Sequence, residues 1–249
     1  MRDKAREAAE RAIRLDPDLA EAHFTLAAVL TYFDWDWEGA EREYRRANEI
    51  DPNLAMNHYH YAWYLALFDG LDEAIEEHKR AQELDPLTPL HTAWLGELYN
   101  MAGRYDDGIA EARKTLDMDD RNAIGLYVTG MGYLGRGMIE EAIEAHEAAG
   151  RQPELEVRPR GDVCRGGPES RRRADPPRGR GGGGQLLRVL GNLDEAFRWW
   201  DYEPHHAWVA GIRVWPPDLL PEANRLRQDP CFQDLMGRMR LPPPGTDRG

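Results

Sequence analysis

The sequence predicts an all-α protein in which antiparallel helix pairs stack as repeats, and three observations lead to this prediction. The segment DEAIEEHKRAQELDP (residues 72–86) ends a helix-like run at Asp85, and similar runs end at Asp16, Asp51 and Asp119. The four aspartates follow one another at steps of 35, 34 and 34 residues. A period of this length is typical of stacked helical units rather than of one globular core. Each period also contains two segments with helical apolar spacing, and a glycine lies between the two segments in three of the periods.

The helix bounds follow from the apolar spacing and from the residues that stop a helix. Pro17, Pro52 and Pro86 each follow a closing aspartate and cannot continue the helix before them. Gly70 and its counterparts in the next two periods, Gly103 and Gly137, are predicted to adopt the left-handed conformation that ends a first helix. The predicted helices cover residues 2–15, 20–33, 37–50, 54–68, 71–84, 88–102, 105–118, 122–135 and 138–149.

Small residues recur where the two helices of a pair would approach each other. In the first helices the small residues are Ala27, Ala62, Gly96 and Gly130, and in the second helices they are Ala40, Ala74, Gly108 and Ala142. Alternating small and bulky residues at constant positions is what close helix packing requires. We therefore expect these positions to be buried contacts between paired helices.

The repeat resembles the tetratricopeptide repeat. WLGELYNMAGRYDDGIAEARKTLDMDD (residues 94–120) has the Leu-Gly, Tyr, Gly-x-Tyr-Asp and Ala spacing of that family, and four units between residues 5 and 149 are in register. A further unit, QLLRVLGNLDEAFRWWDY, begins at residue 185. The resemblance implies a right-handed solenoid of helix pairs that binds protein or peptide partners.

The predicted domain organisation has four parts. Residues 1–153 form the solenoid, residues 154–184 form a disordered segment rich in Arg, Gly and Pro, residues 185–241 form a C-terminal helical unit with one degenerate repeat, and residues 242–249 form a tail. Because residues 2–15 match only the second helix of a repeat, we hypothesise that the chain is a fragment of a longer protein or has a misassigned start. Reading the coding sequence upstream of Met1 tests this.

The segment 158–184 interrupts the repeats and has two interpretations. Its composition cannot bury enough apolar surface to offset the entropy of ordering. Arg, Gly, Pro and Ala also arise when GC-rich codons are read out of frame, which makes the segment a candidate frameshift product. The alternative is a genuine disordered linker that binds RNA weakly through residues 158–180. Both interpretations stay open at the level of sequence.

Charge and composition exclude several classes of partner and compartment. The net charge is −13, and residues 1–150 carry 31 acidic and 15 basic side chains, which disfavours nucleic acid or anionic membrane along the repeats. No run approaches the ~18 apolar residues of a membrane span, and the N-terminus lacks an apolar signal core. The two cysteines, Cys164 and Cys231, form no paired motif. These features predict a cytoplasmic protein.

The sequence shows no catalytic, cofactor-binding or metal-binding motif, and we expect no enzymatic activity. The glycine run at 181–184 has neither the preceding strand nor the following Lys-Ser/Thr of a phosphate-binding loop. His58 and His60 are two residues apart, so a helix directs them to different faces instead of to one metal. His78 and His146 occupy repeated packing positions, where we expect buried histidines with satisfied hydrogen bonds.

The turn Asp34-Trp35-Asp36-Trp37-Glu38 combines aromatic and acidic residues that would suit carbohydrate or cation recognition. A structural role is favoured, because acidic residues stabilise the start of a helix and the indoles can cover the core between repeats.

The resemblance to the tetratricopeptide family also implies a binding surface, since in that family the first helices line the concave face. Carried over to this chain, the candidate partner-binding residues are Phe24, Tyr59, Trp63, Glu97, Asn100, Tyr127 and Met131. No Lys or Arg stands at these positions, so a carboxylate clamp for chaperone tails is not expected. Aromatic residues with acidic neighbours favour a peptide with apolar anchors and basic residues, although Tyr59, Trp63 and Tyr127 fit a core role equally well.

The predicted function is that of a protein–protein interaction scaffold without catalysis. The end of the sequence, RLRQDPCFQDLMGRMRLP, resembles the closing segment of repeat regions in bacterial signalling proteins. The alternative is therefore a non-catalytic C-terminal regulatory region of a truncated adenylate cyclase, Ser/Thr kinase or winged-helix regulator.

Overall fold

The protein is described by a computed structural model that covers residues 2–68, 70–150, 227–228 and 230–241. Among these residues there is no β-strand, and none of their helices is both long and apolar enough to cross a membrane. The helices are α1 Arg2–Leu15, α2 Ala20–Val29 with a π-helical turn Leu30–Asp34, α3 Trp37–Ile50, α4 Ala55–Ala66, α5 Leu71–Leu84, α6 Pro89–Met101, α7 Tyr105–Met118, α8 Ala123–Gly135, α9 Ile139–Gly150 and α10 Pro230–Arg238.

The predicted helices agree with the observed ones to within one or two residues at most ends, and the fold class is confirmed as all-α helix-pair repeats. The closing aspartates explain the regular ends. Asp16, Asp51 and Asp119 each accept a hydrogen bond from the backbone N–H two residues later, at 3.1, 2.9 and 3.2 Å. Such turns compete with helix continuation, so each repeat ends at its aspartate.

The turns inside the helix pairs differ from one another. Gly103 and Gly137 have φ of 72° and 73°, which confirms the predicted left-handed conformation. The prediction is wrong for Gly70, whose φ is −79° and which is the N-cap of α5. In the first pair the left-handed residue is Trp35, with φ of 53°, directly after the π-helical turn.

The structure divides into two compact units, which are described separately. Unit 1 comprises Met1–His91 with Met239–Gly249, and unit 2 comprises Thr92–Arg238. The predicted segment 154–184 lies outside the described residues, as does the start of the predicted C-terminal unit at 185. The predicted domain bounds therefore remain predictions.

In unit 1, alanines let the helices pack closely and aromatic rings fill the space beside them. The predicted contact residues Ala27, Ala40, Ala62 and Ala74 are fully buried, which confirms their role. Tyr44 packs against Tyr61 and Tyr64 with ring centroids 5.5 and 5.7 Å apart. These rings belong to α3 and α4 and join neighbouring helix pairs.

In two repeats of unit 1, a histidine on the first helix joins the turn before that helix to the second helix of the same pair. His23 Nδ1 lies 2.6 Å from Glu43 and its Nε2 lies 2.9 Å from the carbonyl of Pro17. His58 repeats this arrangement with Glu77 at 2.6 Å and Pro52 at 3.0 Å. Burial disfavours the charged ring of His58, but these hydrogen bonds outweigh burial and raise its pKa.

The end of the chain also contributes to unit 1. Trp37 Nε1 donates a hydrogen bond of 2.6 Å to the carbonyl of Met239, 202 residues away. Met239 is fully buried, and the Trp37 ring packs against Phe68 at 5.5 Å. Met239 is therefore part of the unit 1 core.

In unit 2, glycines replace several of the alanines. A Cβ at Gly96 would lie 2.9 Å from the carbonyl of Gly108, and a Cβ at Gly108 would overlap Asn100 Oδ1. A Cβ at Gly130 would lie 2.8 Å from His146 Nε2. Real Cβ atoms do not approach so closely, so these contacts require glycine and confirm the predicted close approach of paired helices.

Candidate functional site

In unit 1 the candidate residues lie on α2 and α4. Phe24, Tyr59 and Trp63 are all partly exposed, so each presents some surface to solvent. Trp63 lies one turn after Tyr59 on the same helix, α4. Phe24 packs against His60 with ring centroids 5.2 Å apart. Two helices thus present aromatic groups that contact one another.

Tyr59 also has a packing role. Its ring lies 4.8 Å from His60, 5.2 Å from His78 and 5.4 Å from His91, in edge-on arrangements. Burial raises the pKa of the Tyr59 hydroxyl to about 12. One part of this side chain therefore belongs to the contact between α4, α5 and α6, while another part remains exposed.

His60 is a member of the aromatic site that the sequence analysis considered only as a metal ligand. Its Nδ1 lies 2.7 Å from the hydroxyl of Tyr32, which belongs to the π-helical turn. Burial lowers the pKa of His60 to about 4, so the ring is neutral at pH 7. The signal for His60 in the sequence was its place on a first helix, because His60 of α4 meets Phe24 of the preceding first helix and Tyr32 of the turn after that helix.

His58 and His60 point to different neighbours, as predicted. His58 contacts Glu77 and Pro52, whereas His60 contacts Tyr32. Within the described residues, no group of His, Cys, Asp and Glu side chains is arranged to hold a metal ion.

The buried histidines at the repeated packing position differ in their hydrogen bonds. His78 Nε2 lies 3.0 Å from the carbonyl of His91, and burial lowers the pKa of His78 to about 3. His146 is equally buried, but neither of its ring nitrogens has a hydrogen-bond partner in the described structure. The expectation of satisfied hydrogen bonds is therefore wrong for His146, because no described carbonyl corresponding to that of His91 reaches it. It is met for only one ring nitrogen of His78, since Nδ1 of His78 has no hydrogen-bond partner among the described residues.

The turn 34–38 has the structural role that was favoured. Asp36 is the N-cap of α3 and accepts a hydrogen bond of 3.0 Å from Gly39 N–H. Trp37 is buried against Tyr64 and Phe68 of α4 and the turn after it. Asp34 forms an ion pair with Arg6 of α1. Through these contacts, the acidic and aromatic residues of this turn connect it to α1 and connect α3 to α4.

In unit 2 the four candidate residues differ in accessibility. Glu97 is 3% exposed, Asn100 is 1% exposed and Met131 is fully buried, so these three side chains offer almost no surface in this conformation. Tyr127 of α8 is partly exposed. Tyr127 is thus the candidate in unit 2 that keeps some exposed surface.

Glu97 is electrostatically unusual. Its Oε2 is 3.5 Å from Asn100 Nδ2, and its Oε1 is 3.5 Å from the Tyr127 hydroxyl. Burial dominates these two long hydrogen bonds and raises the pKa of Glu97 to about 8. A carboxyl with a pKa near 8 is mostly protonated at pH 7.

Comparison with known proteins identifies the fold. PilW, titled a widely conserved type IV pilus biogenesis factor, aligns with a TM-score of 0.56 at 14% identity over 94% of this chain and 90% of its own. TTC0263, a thermophilic TPR protein of Thermus thermophilus, aligns with a TM-score of 0.51 at 21% identity over 59% and 81%. YrrB, titled a TPR protein with an unusual peptide-binding site, aligns with a TM-score of 0.50 at 14% identity over 94% and 99%. The chain has the tetratricopeptide-repeat fold.

These similarities establish architecture, since every identity is below 25%. No protein-family model matches the sequence, and no curated protein matches it either. In this tetratricopeptide-repeat chain the first helices of the four complete pairs are α2, α4, α6 and α8, and they carry all seven candidate residues. The candidate residues are therefore correctly placed on first helices, and their contact with a partner remains a prediction.

Proposed function

We propose that this protein is an interaction scaffold that binds a peptide or protein segment on the first helices of its repeats and catalyses no reaction. The observation that carries the proposal is the pair of partly exposed aromatic residues Tyr59 and Trp63, which lie one turn apart on α4. Aromatic residues held in place by neighbours contribute contact area at little entropic cost and dominate many interfaces.

The partner carries apolar anchors together with basic residues. Phe24, Tyr59, Trp63 and Tyr127 supply partly exposed aromatic surface, and the net charge of −13 attracts a basic segment. A partner recognised by its terminal carboxylate is disfavoured, because the candidate positions carry no Lys or Arg.

The test uses a displayed library of random 12-residue peptides, from which binders of the wild-type chain are selected. Trp63→Ala is expected to weaken binding of the selected peptides about 30-fold while the melting temperature falls by only a few degrees. Phe33→Ala is the matched control, because Phe33 is another exposed aromatic residue of unit 1 but lies in the π-helical turn. Unchanged affinity with a large loss of stability would assign Trp63 to the core and contradict the proposal.

We further propose that the protein acts in the cytoplasm as the repeat region of a bacterial signalling or regulatory protein. The support is the resemblance of residues 225–242 to the end of such repeat regions. Sequencing the gene and its flanks in all three frames tests this proposal. Shifted-frame repeats through codons 150–190, with a cyclase, kinase or winged-helix domain upstream, would support it, and the absence of such a domain would contradict it.

A further inference from the structure

Glu97 is a buried acidic residue whose described contacts include no cation. Only two groups within hydrogen-bonding distance are described, the Asn100 amide and the Tyr127 hydroxyl, and both bonds are 3.5 Å long. Buried carboxylates are normally paired with a cation or held by several short hydrogen bonds. The contacts within unit 2 therefore leave this carboxyl poorly satisfied.

The Asn100 amide cannot improve these contacts by turning. Its Nδ2 donates a hydrogen bond of 3.0 Å to the carbonyl of Val128, which fixes the amide plane. Its Oδ1 lies against Gly108, where an added Cβ would overlap it. Oδ1 of Asn100 has no hydrogen-bond partner among the described residues, so the bond to Val128 fixes the amide and Glu97 receives only the remaining N–H.

The described groups that face Glu97 from the neighbouring helices are all uncharged at pH 7. From α8 it meets Tyr127, whose pKa is raised by burial and by the nearby carboxyl. From α7, the backbone atoms closest to Gly96 of α6 belong to Gly108 and Ala112, which carry no charge. From α9, His146 lies behind Tyr127 at 5.8 Å, and burial lowers the pKa of His146 to about 4. These neighbours therefore bring no positive charge to Glu97.

We propose that Glu97 is the subsite for one basic side chain, Lys or Arg, of the bound peptide. The inference rests on the proposed scaffold function and specifies the chemistry of one anchor. Tyr127, the partly exposed side chain over Oε1, moves aside and exposes the carboxyl to the incoming cation. The carboxylic acid releases its proton to solvent, and the resulting carboxylate pairs with the ammonium or guanidinium group.

The proton release makes recognition depend on pH. Below pH 8 the free protein must lose a proton from Glu97 before the ion pair forms, whereas above pH 8 the carboxylate is already present. Affinity for a basic anchor is therefore expected to increase from pH 6 to pH 9, by about tenfold or more. A peptide with a neutral anchor would not show this increase.

The experiment compares pools of random 12-residue peptides that differ only in one fixed central residue: Lys, Arg or the uncharged isostere norleucine. Binding is measured by fluorescence polarisation at pH 6 and pH 9 on the wild-type chain, on Glu97→Gln and on Glu141→Gln. Glu141 is an exposed acidic residue of α9, so this variant controls for general attraction of basic peptides to an acidic protein.

The expected result is that the Lys and Arg pools bind wild type about tenfold tighter than the norleucine pool at pH 9, with the difference lost in Glu97→Gln and retained in Glu141→Gln. Equal binding of all pools to wild type, or a preference that survives Glu97→Gln, would overturn the subsite while leaving the scaffold function intact. Absence of binding by every pool would overturn the scaffold function and this inference together. Circular dichroism melts confirm that each variant is folded.

Discussion

Units 1 and 2 contain the same helix-pair repeat but make its closest contacts with different residues. In unit 1 the contact positions are alanines, and Ala27 and Ala62 are fully buried. In unit 2 the corresponding residues are Gly96 and Gly130, which leave no room for a Cβ. The same position of the repeat thus accepts a methyl group in unit 1 and excludes it in unit 2.

The two units also bury different ionisable groups. Unit 1 buries His60 and His78, and desolvation lowers their pKa values to about 4 and about 3. Unit 2 buries His146, with a pKa of about 4, and Glu97, with a pKa of about 8. Acid is therefore expected to weaken both units, whereas alkaline pH weakens unit 2 through Glu97.

The largest effect is expected for Gly108→Ala in unit 2. The new methyl group would overlap Asn100 Oδ1 and would meet the carbonyl of Gly96 at 2.8 Å, and backbone atoms cannot easily move away. We expect a loss of about 3 kcal/mol in the free energy of unfolding, measured by urea denaturation.

Gly237→Ala is the matched control, because a Cβ at Gly237 in α10 would have no neighbour within 4 Å. It should be neutral or stabilising by about 0.5 kcal/mol, since alanine has the higher helix propensity. If Gly108→Ala were as stable as this control, the glycine contacts of unit 2 would not be tighter than the alanine contacts of unit 1.

Glu97→Gln should stabilise unit 2 in a pH-dependent way. The folded-state pKa of about 8 lies above the ordinary value of 4.5, so the folded protein holds a proton that the unfolded chain releases. Stability therefore falls as pH rises from about 4.5 to about 8, and the glutamine variant avoids this loss. We expect the stability advantage of the variant to grow by about 2 kcal/mol between pH 5 and pH 6.5. A constant difference at all pH values would show that Glu97 titrates normally.

His78→Gln tests the opposite pH dependence in unit 1. The folded-state pKa of about 3 lies below the ordinary 6.5, so the stabilisation is complete above pH 6.5 and is lost as pH falls towards 3. The glutamine side chain can still donate to the carbonyl of His91 but does not titrate. Between pH 7 and pH 5 the variant should lose about 1.5 kcal/mol less than wild type, measured by urea denaturation. Parallel curves would place the His78 ring in contact with water.

The smallest effect is expected for Trp37→Phe. This substitution removes the hydrogen bond from Nε1 to the carbonyl of Met239 and keeps an aromatic ring beside Phe68. A loss of about 1 kcal/mol is expected, measured by thermal unfolding followed by circular dichroism. No change in stability would indicate that Met239 does not contribute to unit 1 in solution.

Local patterns predicted the parts of the fold that depend on neighbouring residues. The closing aspartates, the apolar spacing and Gly103 and Gly137 determined the helix ends and two of the turns. The turn after α4 was not predictable in this way, since Gly70 has an ordinary negative φ. In the first pair the left-handed residue is Trp35, whose aromatic side chain gives no local signal for that conformation.

The candidate site could be predicted only in part. Membership of a first helix follows from the 34-residue period, and all seven candidates lie on first helices. Accessibility does not follow from the period, because it depends on how much of each side chain the next pair covers. Met131 and Glu97 are covered, whereas Tyr59 and Trp63 keep exposed surface.

By itself, the sequence determined the repeat, its helices and the residues that permit close packing, because these depend on spacing along one segment of chain. Only the tertiary structure decided that Glu97 is buried with no cation among its described contacts, that His146 is buried with no hydrogen bond among the described residues and that Met239 meets Trp37 across 202 residues. These features arise because groups from distant parts of the sequence pack together and exclude water from each other. Desolvation therefore depends on the packed tertiary structure and not on any one segment of the sequence.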